Sequence, residues 1–127
     1  FFPEMAAPWT RTESLPGGEL PAGGIAAWTG EMERRYPGLP AEIVRGVTHR
    51  HGALAPKVFG DAKSPGDLGE DFGNGLLARE IGYMVREEWA RTVDDVLWRR
   101  SKCGLGMPES ARERVAACVA RARAEAA

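Results

Sequence analysis

The sequence predicts an all-α fold: a compact domain of about five to seven helices preceded by an extended Pro/Gly-rich arm. Three observations carry this. Apolar residues recur at helical spacing in separate runs along the chain. No run alternates with the period of two that a half-buried strand needs. Proline and glycine fall between the runs, where helices start and stop. The 127 residues suit a single domain. A chain of this size buries roughly two-thirds of its unfolded surface, enough for a core of its own.

Composition excludes several function classes. Lys and Arg number 17 against 18 Asp and Glu, for a net charge of −1, and the two signs are interleaved. A nucleic-acid footprint would need a basic stripe, so no nucleic-acid partner is expected. No apolar run approaches the roughly 18 residues of a membrane span. Cys103 and Cys118 make no disulfide framework, and no signal peptide is recognisable, so the expected compartment is the reducing cytoplasm. The chain opens on Phe1 rather than Met, and the expectation is a fragment of something longer.

Residues 1–24 hold several prolines and glycines and little helical period, which predicts a linker or arm; residues 25–127 form the predicted helical domain. Leu15-Pro16-Gly17-Gly18 predicts a tight turn, with glycine supplying a positive φ. It lacks the Lys-Ser/Thr and preceding strand of a phosphate-binding loop. Trp9 and Leu15 are expected to anchor the arm on a hydrophobic surface, that of a missing part of the protein.

Ile25, Trp28, Met32 and Tyr36 recur at helical spacing, and Pro37-Gly38 ends that helix. The aromatic and Met stripe is a core pattern before it is a cofactor box. Pro40 opens a second helix with Ile43, Val44 and Val47 inward, ending near Gly52. His49 and His51 near its end are a weak metal signal, because helical residues two apart point away from each other. Leu54, Val58 and Phe59 predict a further short helix, with Pro56 tolerated in its first turn. Ser64-Pro65-Gly66-Asp67 has the form of a helix start. The acids from Asp67 to Asp71 miss the alternate spacing of a calcium loop.

The stretch 67–105 organises the chain. At about 100° per residue, Ile81, Met84, Val85, Trp89, Val93 and Val96 share one broad arc. Glu88, Asp95, Arg99 and Arg100 lie on or beside that arc, where a charge is costly unless paired. The favoured reading is a buried ion-pair cluster that fixes helix packing or domain docking, so these four are structural or docking candidates. The competing reading makes the carboxylates an acid–base pair, and it lacks a nucleophile or metal set beside it. Thr92-Val93-Asp94-Asp95 has the shape of a capping box with Asp in the Glu position. It predicts a break, with one helix at about 77–89 and another at about 92–102. Trp28, Trp89 and Trp98 are the expected core aromatics. Beyond Gly104 and Gly106, Pro108 opens a last helix with Glu109 in its first turn. Its stripe of Ala111, Val115, Cys118, Val119 and Ala122 is too weakly apolar for a membrane-surface helix.

The run EEWARTVDDVLWRRSKCGL resembles the C-terminal region of the FAD-dependent, aerobic, membrane-associated glycerol-3-phosphate dehydrogenases. Glu88, Asp95, Leu97, Arg99, Arg100 and Leu105 carry the match, and Ser101 stands where the family has Thr. DLGEDFG is similar to the bacterial homodimeric branch, and WTRTESLPGG resembles the segment leading into the family's C-terminal domain. The resemblance implies a cap domain packed on an N-terminal FAD domain of the same chain. Such enzymes oxidise glycerol 3-phosphate to dihydroxyacetone phosphate and pass electrons to quinone. It implies further a homodimer, and respiratory-chain or membrane association at the inner face of the cytoplasmic membrane. No catalytic, cofactor-binding or metal residue carries over onto this chain, which is expected to be inactive alone. The alternative is a free-standing helical adaptor that binds a protein partner. If the ionic residues are buried, Arg99→Ala or Asp95→Ala should cost a few kcal/mol.

Overall fold

The computed structural model describes residues 8–126. Five α-helices carry the fold: α1 (Gly24–Arg35), α2 (Ala41–His51), α3 (Ala55–Phe59), α4 (Ala78–Glu87) and α5 (Glu109–Glu125). Short 3-10 turns, Gly52–Leu54 and Pro65–Leu68, and a π-helical segment, Asp95–Arg100, lie between them. Among the described residues there is no β-strand, only an isolated bridge between Asp71 and Leu77.

The arm makes the predicted turn. The Gly18 amide donates to the Leu15 carbonyl at 2.7 Å, and Gly17 has φ 87°. The Gly17 carbonyl accepts from the Ala53 amide at 2.9 Å, which seats the arm on the end of α2.

Burial divides into two clusters. The first gathers Met32 from α1 and Tyr36 just after it, Val44 and Val47 from α2, and Val58 and Phe59 from α3. Trp28 packs at its edge and donates its indole N–H to the Gly52 carbonyl at 2.9 Å, closing the C-terminal end of α2. The α1–α2 corner is tight. A Cβ on Gly38 would stand 1.9 Å from the Lys63 carbonyl oxygen, so only glycine fits.

The second cluster is built from α4, the π segment and α5. Ala111, Val115, Cys118, Val119 and Ala122, the predicted stripe, are all buried in it. Helix α4 belongs to both clusters. Ile81, Met84 and Val85 face the second, while Tyr83 and the preceding cap residue Leu77 face the first. A helix buried on two sides has little room for a solvated face, and every residue from Glu80 to Val85 is buried.

The predicted break near Thr92 is present, but it falls earlier than expected. Helix α4 ends at Glu87, and Trp89 takes a left-handed φ of 56°. The Ala90 amide folds back to the Met84 carbonyl at 3.0 Å, and Ala90 takes the buried place. Trp89 is therefore 76% exposed rather than a core aromatic, because the wheel that put it on the apolar arc stops two residues before it. Trp98 packs partly buried on the second cluster, as expected. The following helix is π-wound. The Ser101 amide reaches Val96 O at 3.1 Å, and the Ser101 hydroxyl donates to the same carbonyl at 2.7 Å. Ser64 and Asp67 form the expected helix-start box.

The Gly38 contact gives a direct check. Gly38→Ala should destabilise the chain by about 1–3 kcal/mol in urea melts through overpacking. A loss below about 0.5 kcal/mol would mean that the corner is looser than described.

Candidate functional site

A buried ionic chain runs across the seam between the two clusters. It begins at Glu80, in the first turn of α4, whose side chain is 0% exposed. Arg50 grips it with Nε at 2.7 Å and Nη2 at 2.8 Å, a bidentate fork. His51 Nε2 lies 2.8 Å from the same carboxylate. Arg50 Nη2 also donates to the Gly75 carbonyl at 2.8 Å, tying in the loop before α4. Both partners come from the last turn of α2, where Val44, Val47, Thr48 and His51 form the buried stripe.

His51 carries the chain onward. Its Nδ1 is 3.3 Å from Glu88 at the end of α4. Burial opposes charge on the ring, but the bonds to Glu80 and Glu88 outweigh it and push the pKa up to about 8. The imidazolium thus donates from both nitrogens. Burial likewise opposes ionisation of Glu80, and His51 and Arg50 together still hold it below the usual carboxylate range. Arg100 then takes Glu88. Its Nε and Nη2 donate to the Glu88 carbonyl at 2.9 and 2.5 Å, and Nε lies 3.8 Å from the carboxylate. A cation there suits the negative end of α4. Arg100 Nη1 is 3.8 Å from Asp95, and Asp95 pairs with Arg99 at 2.5 Å.

Of the sequence-predicted residues, the structure brings Glu88, Asp95, Arg99 and Arg100 together, but not as a buried quartet. Arg99 is 69% exposed. Asp95 works as the predicted cap. Its carboxylate accepts from the amides of Arg91 and Thr92 at 2.9 Å each, and its own amide donates to the Thr92 hydroxyl. The Arg91 amide first, then Arg99 and Thr92, hold its carboxyl well below the usual range. The expectation that Arg99→Ala strands a buried charge is therefore corrected: the break re-registers the π segment and turns Arg99 to solvent. Trp9 and Leu15 are exposed, at 64% and 82%.

Sequence reasoning missed Glu80 and Arg50. A signal for Glu80 existed, since it lies three residues after Leu77 and four before Met84, on the buried stripe. Nothing local could name partners 29 and 30 residues away.

Chemically, the Glu80 carboxylate is engaged in holding α2 and α4 together. Three donors occupy the Glu80 carboxylate, leaving no oxygen directed at a substrate. His49 is exposed while His51 turns inward, so the two do not converge. Among the described residues no group of three or more His, Cys, Asp or Glu is placed to hold a metal ion. Both cysteines are free and buried, and burial pushes the Cys118 thiol up. No helix among the described residues is long and apolar enough to cross a membrane.

Fold and site define an all-α domain whose buried charged residues meet at its own internal seam. Comparison with known proteins makes this specific: the chain belongs to the family described as the C-terminal domain of alpha-glycerophosphate oxidase, whose pattern matches residues 9–126. It is similar to the glycerol-3-phosphate dehydrogenase of Pseudomonas aeruginosa, 36% identical over 115 residues. It is similar to the aerobic glycerol-3-phosphate dehydrogenase of Escherichia coli, 34% identical over 115 residues. Each match covers 91% of this chain. The D-erythritol 1-phosphate dehydrogenase of Brucella abortus is 33% identical over 111 residues, covering 87% of the chain. The chain spans only 22%, 23% and 22% of the lengths of these relatives.

Glu80→Ala should cost about 3–5 kcal/mol in urea melts, because it strands Arg50 and His51 in the seam. Arg99→Ala should cost under about 1 kcal/mol, as an exposed pair. Equal losses would contradict the geometry. The chain should also lose stability with alkali. The folded pKa of His51 is raised from 6.5 to about 8, so its contribution is fully present below pH 6.5 and fades as pH rises through about 8. The span corresponds to about 2 kcal/mol. In His51→Gln, that slope should be missing from stability measured against pH.

Proposed function

We propose that this chain is the cap domain of an FAD-dependent glycerol-3-phosphate dehydrogenase, and that the cap serves packing and interaction rather than chemistry. The observation that carries the reading is the family match over residues 9–126 together with the span of only 22–23% of the length of relatives named as glycerol-3-phosphate dehydrogenases. The parent reaction on this reading is oxidation of glycerol 3-phosphate to dihydroxyacetone phosphate, with electrons passed to quinone by an enzyme peripheral to the inner face of the cytoplasmic membrane. The Brucella relative is named for D-erythritol 1-phosphate, so polyol phosphates are the broader substrate class.

The described residues do not fit FAD. No strand leads into a GxGxxG turn and helix, and Gly69, Gly73 and Gly75 sit in the loop that positions α4. The flavin and the reacting carbons belong to another part of the parent on this reading. What this chain contributes is a rigid body with apolar side chains left outside. Trp9 and Leu15, on an arm seated by Gly17 on Ala53, are placed to meet a preceding domain.

The test is to purify the full-length gene product and look for a flavin spectrum and for dye reduction driven by glycerol 3-phosphate. Both are expected, and Trp9→Ala with Leu15→Ala should lower activity or yield by loosening the cap. A product with neither bound flavin nor polyol-phosphate oxidation would end this reading.

A further inference from the structure

Half of the arginines in this chain make an ion pair among the described residues. Arg45 pairs with Glu33, Arg50 with Glu80, Arg79 with Asp61, Arg99 with Asp95, Arg112 with Glu109 and Arg114 with Glu70. Three of the other seven, Arg86, Arg91 and Arg123, stand together. None makes an ion pair among the described residues, and all three line one groove between the C-terminal ends of α4 and α5. The groove measures about 600 Å³, with Val85 and Ala120 among its other walls. Arg123 holds its edge by donating to the Arg91 carbonyl at 3.2 Å. Arg121 stands in the adjoining depression, which also has Arg86 and Glu125 on its wall. The interleaved charge of the sequence is thus sorted by folding into a cationic groove on a chain whose net charge is −1.

Trp89 stands at this groove, and its state is unusual. It is 76% exposed and takes a left-handed φ of 56°, a conformation costly for a large side chain. Nothing in the core accounts for it, since Ala90 fills the buried place. An aromatic held outward by strained backbone, beside guanidiniums that make no ion pair among the described residues, is the makeup of an interface anchor.

We propose that the α4–α5 groove is a docking site for an acidic segment of a second protein. Charge complementarity selects the occupant: carboxylates would meet Arg86, Arg91 and Arg123 while an apolar side chain covers Trp89. The groove is concave and walled in part by alanine, so a peptide backbone can approach closely, which a lipid surface cannot do. No residue of the arm lines it: the arm is seated on Ala53, whereas the lining comes from α4, the break after it and α5.

The experiment titrates the 127-residue chain against a fluorescently labelled peptide of glutamates with one central leucine, read by anisotropy. Saturable binding that weakens with added salt is expected. The double variant Arg86→Glu and Arg123→Glu should weaken it by at least about tenfold. Trp89→Ala should weaken it several-fold, while Arg34→Glu on α1 should leave it unchanged. Circular dichroism melts verify that each variant folds, and the single variants Arg86→Gln and Arg123→Gln replace any that does not. No saturable binding, or an equal loss in Arg34→Glu, would overturn the proposal. So would capture by phosphatidylglycerol vesicles without peptide binding. Binding by the chain but not by the full-length protein would also overturn it, since the groove would then be filled from within the same polypeptide.

Discussion

The fold depends on how one buried carboxylate is neutralised. Glu80 sits on α4 at a position both clusters enclose, and an unpaired charge there costs several kcal/mol. Arg50 and His51 remove that cost by reaching across from α2, and so lock α2 onto α4 in one register. Hydrophobic contact alone is non-directional and would let the two helices slide. The fork of Arg50 and the second bond of His51 to Glu88 admit little slippage. Arg100 then binds the end of α4 to the π segment. Two small cores become one body through a line of alternating charge.

That line also explains local features that look unrelated. The π-winding of Asp95–Arg100 and the Ser101 hydroxyl on Val96 set the stretch that brings Arg100 back to the Glu88 carbonyl. The loop before α4 is fastened by Arg50 on Gly75 and by Asn74 on the carbonyls of Cys103 and Leu105. Each is a polar group used where the chain leaves regular structure and its backbone needs partners.

Much of this was legible in the sequence, because local rules govern it. Helical spacing located α1, α2, α3 and α5 and their inward residues, and the Thr92–Asp95 box marked the break. The arc across 77–96 misled at Trp89, because periodicity assumes one continuous helix and the left-handed residue ends it. The same slip placed Arg99 in the interior. The ionic chain was half legible: Glu88, Asp95 and Arg100 announced themselves as charges among apolar residues, while Arg50, His51 and Glu80 meet only once the chain has folded. The cationic groove was not legible at all, since its arginines are spread over α4, the break and α5.

The central claim is that α2 and α4 are coupled through Glu80, and a double-mutant cycle measures that coupling directly. Arg50→Met, Glu80→Met and the double variant would be unfolded in urea beside the parent chain. The account predicts that each single change is costly and that the double change costs less than their sum, by about 2–3 kcal/mol. Strictly additive losses would contradict it, and would mean that Arg50 and Glu80 do not couple the two helices.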